Sequence, residues 1–232
     1  VKVSPVSSKD YMALRRGDVL STGELSAYTG AALQVFGIDK KMCDDQGAVC
    51  RKTLKETIGL HSENRLSALS ELWLKEAIAL DRQYEEETHF EDIINAYLEA
   101  ARYAYGYLFL TRRSPGMRAL EDRQAQVRDY YNYAVQQILT TLFAHYSKQQ
   151  PVIIDAKRDI SFRLRHWRIT IRNDDVRLAG SRMIPEELIP ASSLSFAGLR
   201  NQYRRDGLGA ELVAVTSRRV VNLGSDVRPF TE

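Results

Sequence analysis

The sequence is poor in the groups that announce a chemistry. Only two of its 232 residues are cysteine and four are histidine. A zinc site needs further ligands near Cys43 and Cys50; His61 is the nearest and no fourth is evident, so no metal is expected. No segment approaches the roughly 18 apolar residues of a membrane span. There is no G-x-S-x-G: Ser181 in "AGSRM" and Ser225 in "LGSDV" each have one flanking glycine and lack the second, so no nucleophile elbow is recognisable. "DGLGAEL" is neither G-x-G-x-x-G nor a P-loop, which removes both phosphate-cradling templates and leaves no expected cofactor. The net charge of +3 is too small for a global polyanion-binding signature.

What is present divides at Pro151. Residues 1–150 hold 19 Lys and Arg against 20 Asp and Glu; residues 151–232 hold 14 against 10, and all but Lys157 of those 14 are arginine. The hydrophobic fraction of 44% is ample for a core. The expected class is α+β: a helical domain over 1–150, antiparallel and bundle-like or repeat-like, then a short β-rich segment over 151–232.

The helical part reads from its periodicity. "STGELSAYTGAALQVFG" starts with Ser21 or Thr22 as cap, carries Glu24 three residues after Ser21, and stops at Gly37. A short helix covers 49–58 and ends at Gly59. Ser62 caps the next, with Leu66, Leu69, Trp73, Ala77 and Leu80 on one face. Phe90, Ile94, Tyr97, Ala101, Ala104 and Leu108 form a second stripe. After the break at Pro115–Gly116, a helix from Met117 to His145 carries Leu120, Val127, Tyr131, Ala134, Ile138 and Thr141 along one side. Three helices joined by short breaks suit up-down packing. No fixed repeat period emerges.

Beyond Pro151, "ISFRLRHWRITIRND" alternates with period two and changes parity between Leu164 and Trp167, which a one-residue bulge near His166 accommodates. "RMIPEELIPASSL" reads as loop. "AELVAV" is a strand, and "SRRVV" either continues it or begins its partner.

Four constellations stand out. Arg163, Arg165 and Arg168 around Trp167 fit a nucleic-acid face, but better the solvent side of an amphipathic strand or pairing with Asp155, Asp159, Asp174 and Asp175; no nucleic-acid partner is expected. Glu86-x-x-His89 has metal-ligand spacing, but a di-iron bundle needs a second such motif and two more glutamates. His145, on an apolar stripe, reads as a packing residue. Cys43 and Cys50, with six residues between, either close a short disulfide, which implies an oxidising compartment, or stand as free thiols at a helix start.

Several segments carry a resemblance. "FAGLRNQYRRDGLGAELVAV", with "RPF" near the end, resembles the segment leading into the catalytic module of large bacterial esterase/lipase-like α/β hydrolases. "DYMALRRGDVLSTGELSAYTGAAL", the Cys-x6-Cys and "ENRLSALSELWLKEA" resemble the helical N-terminal region of the same family. The resemblance implies an exported, lipoprotein-like context in the bacterial periplasm or outer membrane. A start at Val1 and a Cys43–Cys50 disulfide fit it, as does possible attachment through an N-terminal lipid outside this chain. It implies that 151–232 begins a hydrolase sheet and that the serine elbow, acid and histidine follow Glu232. No catalytic residue maps here. Asp206, Gly207 and Gly209 would border the substrate cleft, the remainder of the polypeptide would be the partner, and a lipid or ester the substrate. The rival expectation is a non-enzymatic helical scaffold for a protein or peptide.

Overall fold

The computed structural model describes residues 17–83, 86–149, 160–171, 187–193, 207–216 and 219–222. It is mostly helical, with short antiparallel strands, and so α+β. The helices are α1 (Ala27–Gln34), α2 (Met42–Asp45), α3 (Gly47–Glu56), α4 (Ser62–Gln83), α5 (Glu86–Phe109) and α6 (Asp122–Gln149), with a 3-10 turn at Pro115–Arg118. The strands are β1 (Ile160–Leu164), β2 (Trp167–Ile171), β3 (Glu187–Pro190), β4 (Leu212–Thr216) and β5 (Arg219–Asn222). The chain divides into two compact units, 1–83 with 99–131 and 84–98 with 132–232. One boundary falls between α4 and α5 and the other two within α5 and α6; Pro151 lies outside the described residues.

In the first unit the cap of α1 is Ser26, not Ser21 or Thr22. Ser26 is extended (φ −62°, ψ 162°) and its hydroxyl accepts from the Thr29 N–H at 3.2 Å. Ser21 and Thr22 instead fold back on Asp18: the Ser21 N–H donates to Asp18 Oδ1 at 2.9 Å and the Thr22 N–H to the Asp18 carbonyl at 2.9 Å. Serine and threonine compete for local backbone groups wherever they stand, so several caps in a row give several solutions. Gly37 takes φ +71° just past the helix, and the Ile38 N–H returns to the Leu33 carbonyl.

Leu25, Leu33, Ile38, Leu54, Leu69 and Leu72 form one buried cluster that also takes in both cysteines. Cys43 and Cys50 are bonded, tying α2 to α3. Helices α4 and α5 run antiparallel: the Ser70 hydroxyl donates to the Ala100 carbonyl at 3.0 Å, and a Cβ at Gly106 would lie 3.4 Å from a Leu66 methyl. The apolar face expected of α5 is buried throughout, with Ile94, Tyr97, Ala101, Ala104 and Leu108 at 4% exposure or less. Helix α6 begins at Asp122, five residues later than expected, because Pro115–Arg118 forms its own turn; Leu120 is therefore off the stripe and fully exposed.

In the second unit, β1 and β2 pair with Ile160 opposite Ile171, Phe162 opposite Ile169 and Leu164 opposite Trp167. The parity change is a two-residue turn, Arg165–His166, not a bulge, and Arg165 takes φ +53°. A two-residue turn between directly paired positions brings residues of opposite parity across from each other. The expected loop over 182–194 contains β3, whose Pro190 pairs with Leu212 at the last strand position of a sheet edge, where a missing N–H is tolerated. β5 is the partner of β4. Phe90 stacks on His145 with centroids 3.7 Å apart, so His145 is a packing residue.

Assay of the denatured, unreduced protein is expected to find no free thiol. Reduction should lower stability by about 2–3 kcal/mol, the loop-entropy value for so short a ring, seen as a lower urea midpoint.

Candidate functional site

The buried charges of the first unit are the place to look for chemistry, since a charge is kept from water only where something compensates it. Glu63, in the first turn of α4, is 2% exposed. Arg113 grips its carboxylate from Nε and Nη2, while Arg118 Nη1 lies 3.3 Å away. Arg113 also reaches Glu121 at 2.5 Å. Arg118, fully buried, donates to the Tyr107 and Leu108 carbonyls at 2.8 and 3.1 Å and to the Thr111 hydroxyl at 2.7 Å, with its guanidinium 4.3 Å from the Tyr107 ring centroid. It thus satisfies the carbonyls left open at the end of α5. The hydrogen bond from Arg113 holds the Glu63 carboxyl below its usual range, and burial only partly opposes this.

Glu71, two turns further along α4, is also fully buried. It accepts from the Ser26 N–H at 2.8 Å, the Ser26 hydroxyl at 2.7 Å and the Val19 N–H at 3.3 Å. One carboxylate therefore anchors both the cap of α1 and the segment before it. Burial pushes the Glu71 carboxyl up, against the pull of the Ser26 bonds. The Tyr130 phenol lies against Glu71 and Asp18; burial first, then these two carboxylates, pushes it well above its usual value.

Above this network opens a groove of about 510 Å³, lined by Asp18, Ser21, Asp122, Gln126 and Asp129 together with Leu20 and Ala125. The Ser21 hydroxyl donates to Asp18 Oδ1 at 2.8 Å. Three carboxylates and an amide suit a cationic or hydrogen-bond-donating guest. No imidazole lines the groove to activate Ser21 as a nucleophile. On the opposite flank of α4, Trp73 lies beneath Arg51 at 4.2 Å and Lys55 at 5.3 Å, with Arg51 paired to Glu76 at 3.3 Å.

The residues singled out from sequence fall in separate places. Gly207 is exposed; Gly209 is half-buried with φ +118°. Neither lines this groove, and Asp206 lies outside the described residues. What holds the glycine loop is Asn132 of α6, whose side-chain amide donates to the Gly207 carbonyl at 3.0 Å and accepts from the Gly209 N–H at 2.8 Å. Arg165 pairs with Asp92 of α5; Asp155, Asp159, Asp174 and Asp175, the aspartates expected as partners of the arginines, lie outside the described residues. The Trp167 indole donates to Asn95 at 3.1 Å, so the two central members of the arginine–tryptophan group face α5. The helix kinks at His89 (φ −123°, ψ 20°), the second residue of the Glu86-x-x-His89 pair. Among the described residues no three His, Cys, Asp or Glu gather as a metal site, and no helix is long and apolar enough to cross a membrane.

No protein-family model, no characterised protein and no solved structure matches this chain.

Sequence reasoning passed over Glu63, Glu71, Arg118 and Asn132. A signal was available for one of them, Glu71: Ser67–Ser70–Glu71 interrupts the apolar face of α4 with polar residues that are all buried, and such residues need partners. Arg118→Met should cost about 1–3 kcal/mol, because it removes one of the two guanidinium partners of Glu63 and takes a donor from the Tyr107 and Leu108 carbonyls at the end of α5. Glu63 has a lowered folded pKa, so its contribution is complete above the ordinary value of 4.5 and is lost as pH falls through the folded value. The stability difference between the wild type and Glu63→Gln should accordingly be greatest above pH 5 and shrink in acid, by urea titration at each pH.

Proposed function

We propose that this chain is a non-catalytic helical portion of a bacterial serine esterase or lipase, exported to the periplasm or outer membrane, that covers or shapes the catalytic body, with residues 151–232 entering the hydrolase sheet. The observation that carries the non-catalytic part is how the buried ionisable groups are used. Glu63, Glu71, Arg118 and Arg51 each engage a helix end, a cap or an opposite charge. These are structural tasks, and a group so engaged is not poised to exchange protons with a substrate. The hydrolase part rests on the resemblance of the segments around Leu199–Val215 and Asp10–Leu33. The short strand leading in from Gly209 is in keeping with a connector into a sheet.

The test is ester turnover. Purified 1–232 should not hydrolyse a short-chain p-nitrophenyl ester, whereas the protein of the full reading frame should, with loss of activity to a serine-directed inhibitor. Inhibitor-sensitive turnover by 1–232 alone overturns the non-catalytic reading. A reading frame without a serine elbow overturns the hydrolase reading.

A second reading, a scaffold for a basic peptide or protein, is favoured by the acidic groove. It predicts that Asp122→Asn with Asp129→Asn weakens binding of a Lys/Arg-rich peptide by about tenfold or more, as two charge-assisted contacts are lost; calorimetry would measure this.

A further inference from the structure

The connector between α5 and α6 combines two features that seldom coincide. Its backbone is held by buried charges, yet its large apolar side chains point outward. Arg118 is fully buried and bonds to Tyr107, Leu108 and Thr111, while Arg113 bridges Glu63 and Glu121. Between and beside these anchors, Leu110 is 74% exposed, Met117 70% and Leu120 fully so, with Phe109 at 41%. Single exposed apolar residues are ordinary; four within twelve residues, on a segment fixed this firmly, form a patch. The turn between α3 and α4 adds Ile58, 93% exposed. It meets the same end of the first unit, because Arg65 of the first turn of α4 donates to the Thr57 carbonyl, and Glu63 of that turn is the residue Arg113 grips.

We infer that this end of the helical unit is a docking surface for an anionic lipid bilayer, with Leu110, Met117 and Leu120 entering the interface and Arg112 meeting headgroups. Two arguments select lipid as the occupant. The first is charge. The connector's acid, Glu121, is matched by Arg113, and Glu63 of α4 by Arg113 and Arg118, while Arg112 is exposed beside Leu110 and makes no ion pair among the described residues. Cations flanking protruding apolar groups suit a negatively charged interface. The second is shape. Side chains as exposed as Ile58 and Leu120 protrude into solvent, and none of these apolar residues lines the groove of Asp18, Asp122 and Asp129. Protruding aliphatic groups are accommodated by a fluid hydrocarbon phase without a matching pocket. A fixed backbone also presents them with little ordering left to do on binding. The inference stands without the hydrolase reading, and its test involves no ester turnover.

The experiment is co-flotation of the full 1–232 chain with vesicles of pure phosphatidylcholine and of phosphatidylcholine with 30% phosphatidylglycerol. The wild type should float with the anionic vesicles and far less with the neutral ones. Leu110→Ser with Met117→Ser and Leu120→Ser should lower the partition coefficient at least about tenfold, from the apolar area withdrawn from the interface. Arg112→Gln should weaken binding to anionic vesicles only. All four residues are exposed, so the variants should keep the wild-type melting temperature, and a thermal melt checks this. Leu120→Trp should be quenched by brominated acyl chains if the tip enters the bilayer. Absence of wild-type binding overturns the proposal. So does binding that the triple variant retains, or a triple-variant effect confined to self-association on a sizing column; the last result would assign the patch to a second copy of the chain.

Discussion

A buried carboxylate with two guanidinium partners organises one end of the helical unit. Glu63 alone would be intolerable in that position, and so would Arg118. Together with Arg113 they neutralise each other, and the arginines still have donors left for the last carbonyls of α5 and for Thr111. Three consequences follow from one cluster. The first turn of α4 is fixed against the end of α5, the chain is turned through Pro115–Arg118, and the start of α6 is delayed to Asp122. Leu120, expected on the α6 stripe, is displaced outward by that delay. The exposed tip is therefore a product of the buried charge.

Glu71 does the corresponding work at the other contact of α4. It takes the place of a backbone carbonyl, receiving the N–H groups of Val19 and Ser26. The two glutamates respond oppositely to acid: hydrogen bonding to Arg113 holds one ionised, while burial favours the neutral form of the other. The sign differs because Glu63 faces full cations and Glu71 faces dipoles.

The long helices were legible because their apolar positions repeat at three and four residues over five or more turns, and such a pattern admits one buried face. Local choices were not. Ser21, Thr22 and Ser26 are equivalent as caps in the sequence; what selects Ser26 is Glu71, forty-five residues away. Leu164 and Trp167 have opposite parity whether a bulge or a tight turn lies between them, and only the pairing of β1 with β2 separates the two. Pro190 reads as a loop residue until β4 places it at an edge. Cys43 and Cys50 allowed both a bond and free thiols; the packing of α2 against α3 brings them together. The candidate site was legible least. Its acids come from the segment before α1 and from the first turns of α6, which share no local motif.

The Asn132 side chain, with its paired bonds to Gly207 and Gly209, ties together distant parts of the chain. Residues 132 and 209 are 77 positions apart, and bringing such distant points together costs chain entropy before any contact repays it. A single amide on helix α6 therefore holds two backbone groups of the glycine loop at once, one by donating and one by accepting. An aspartate there would keep the acceptor and lose the donor, so the two ends of the loop would be held unequally.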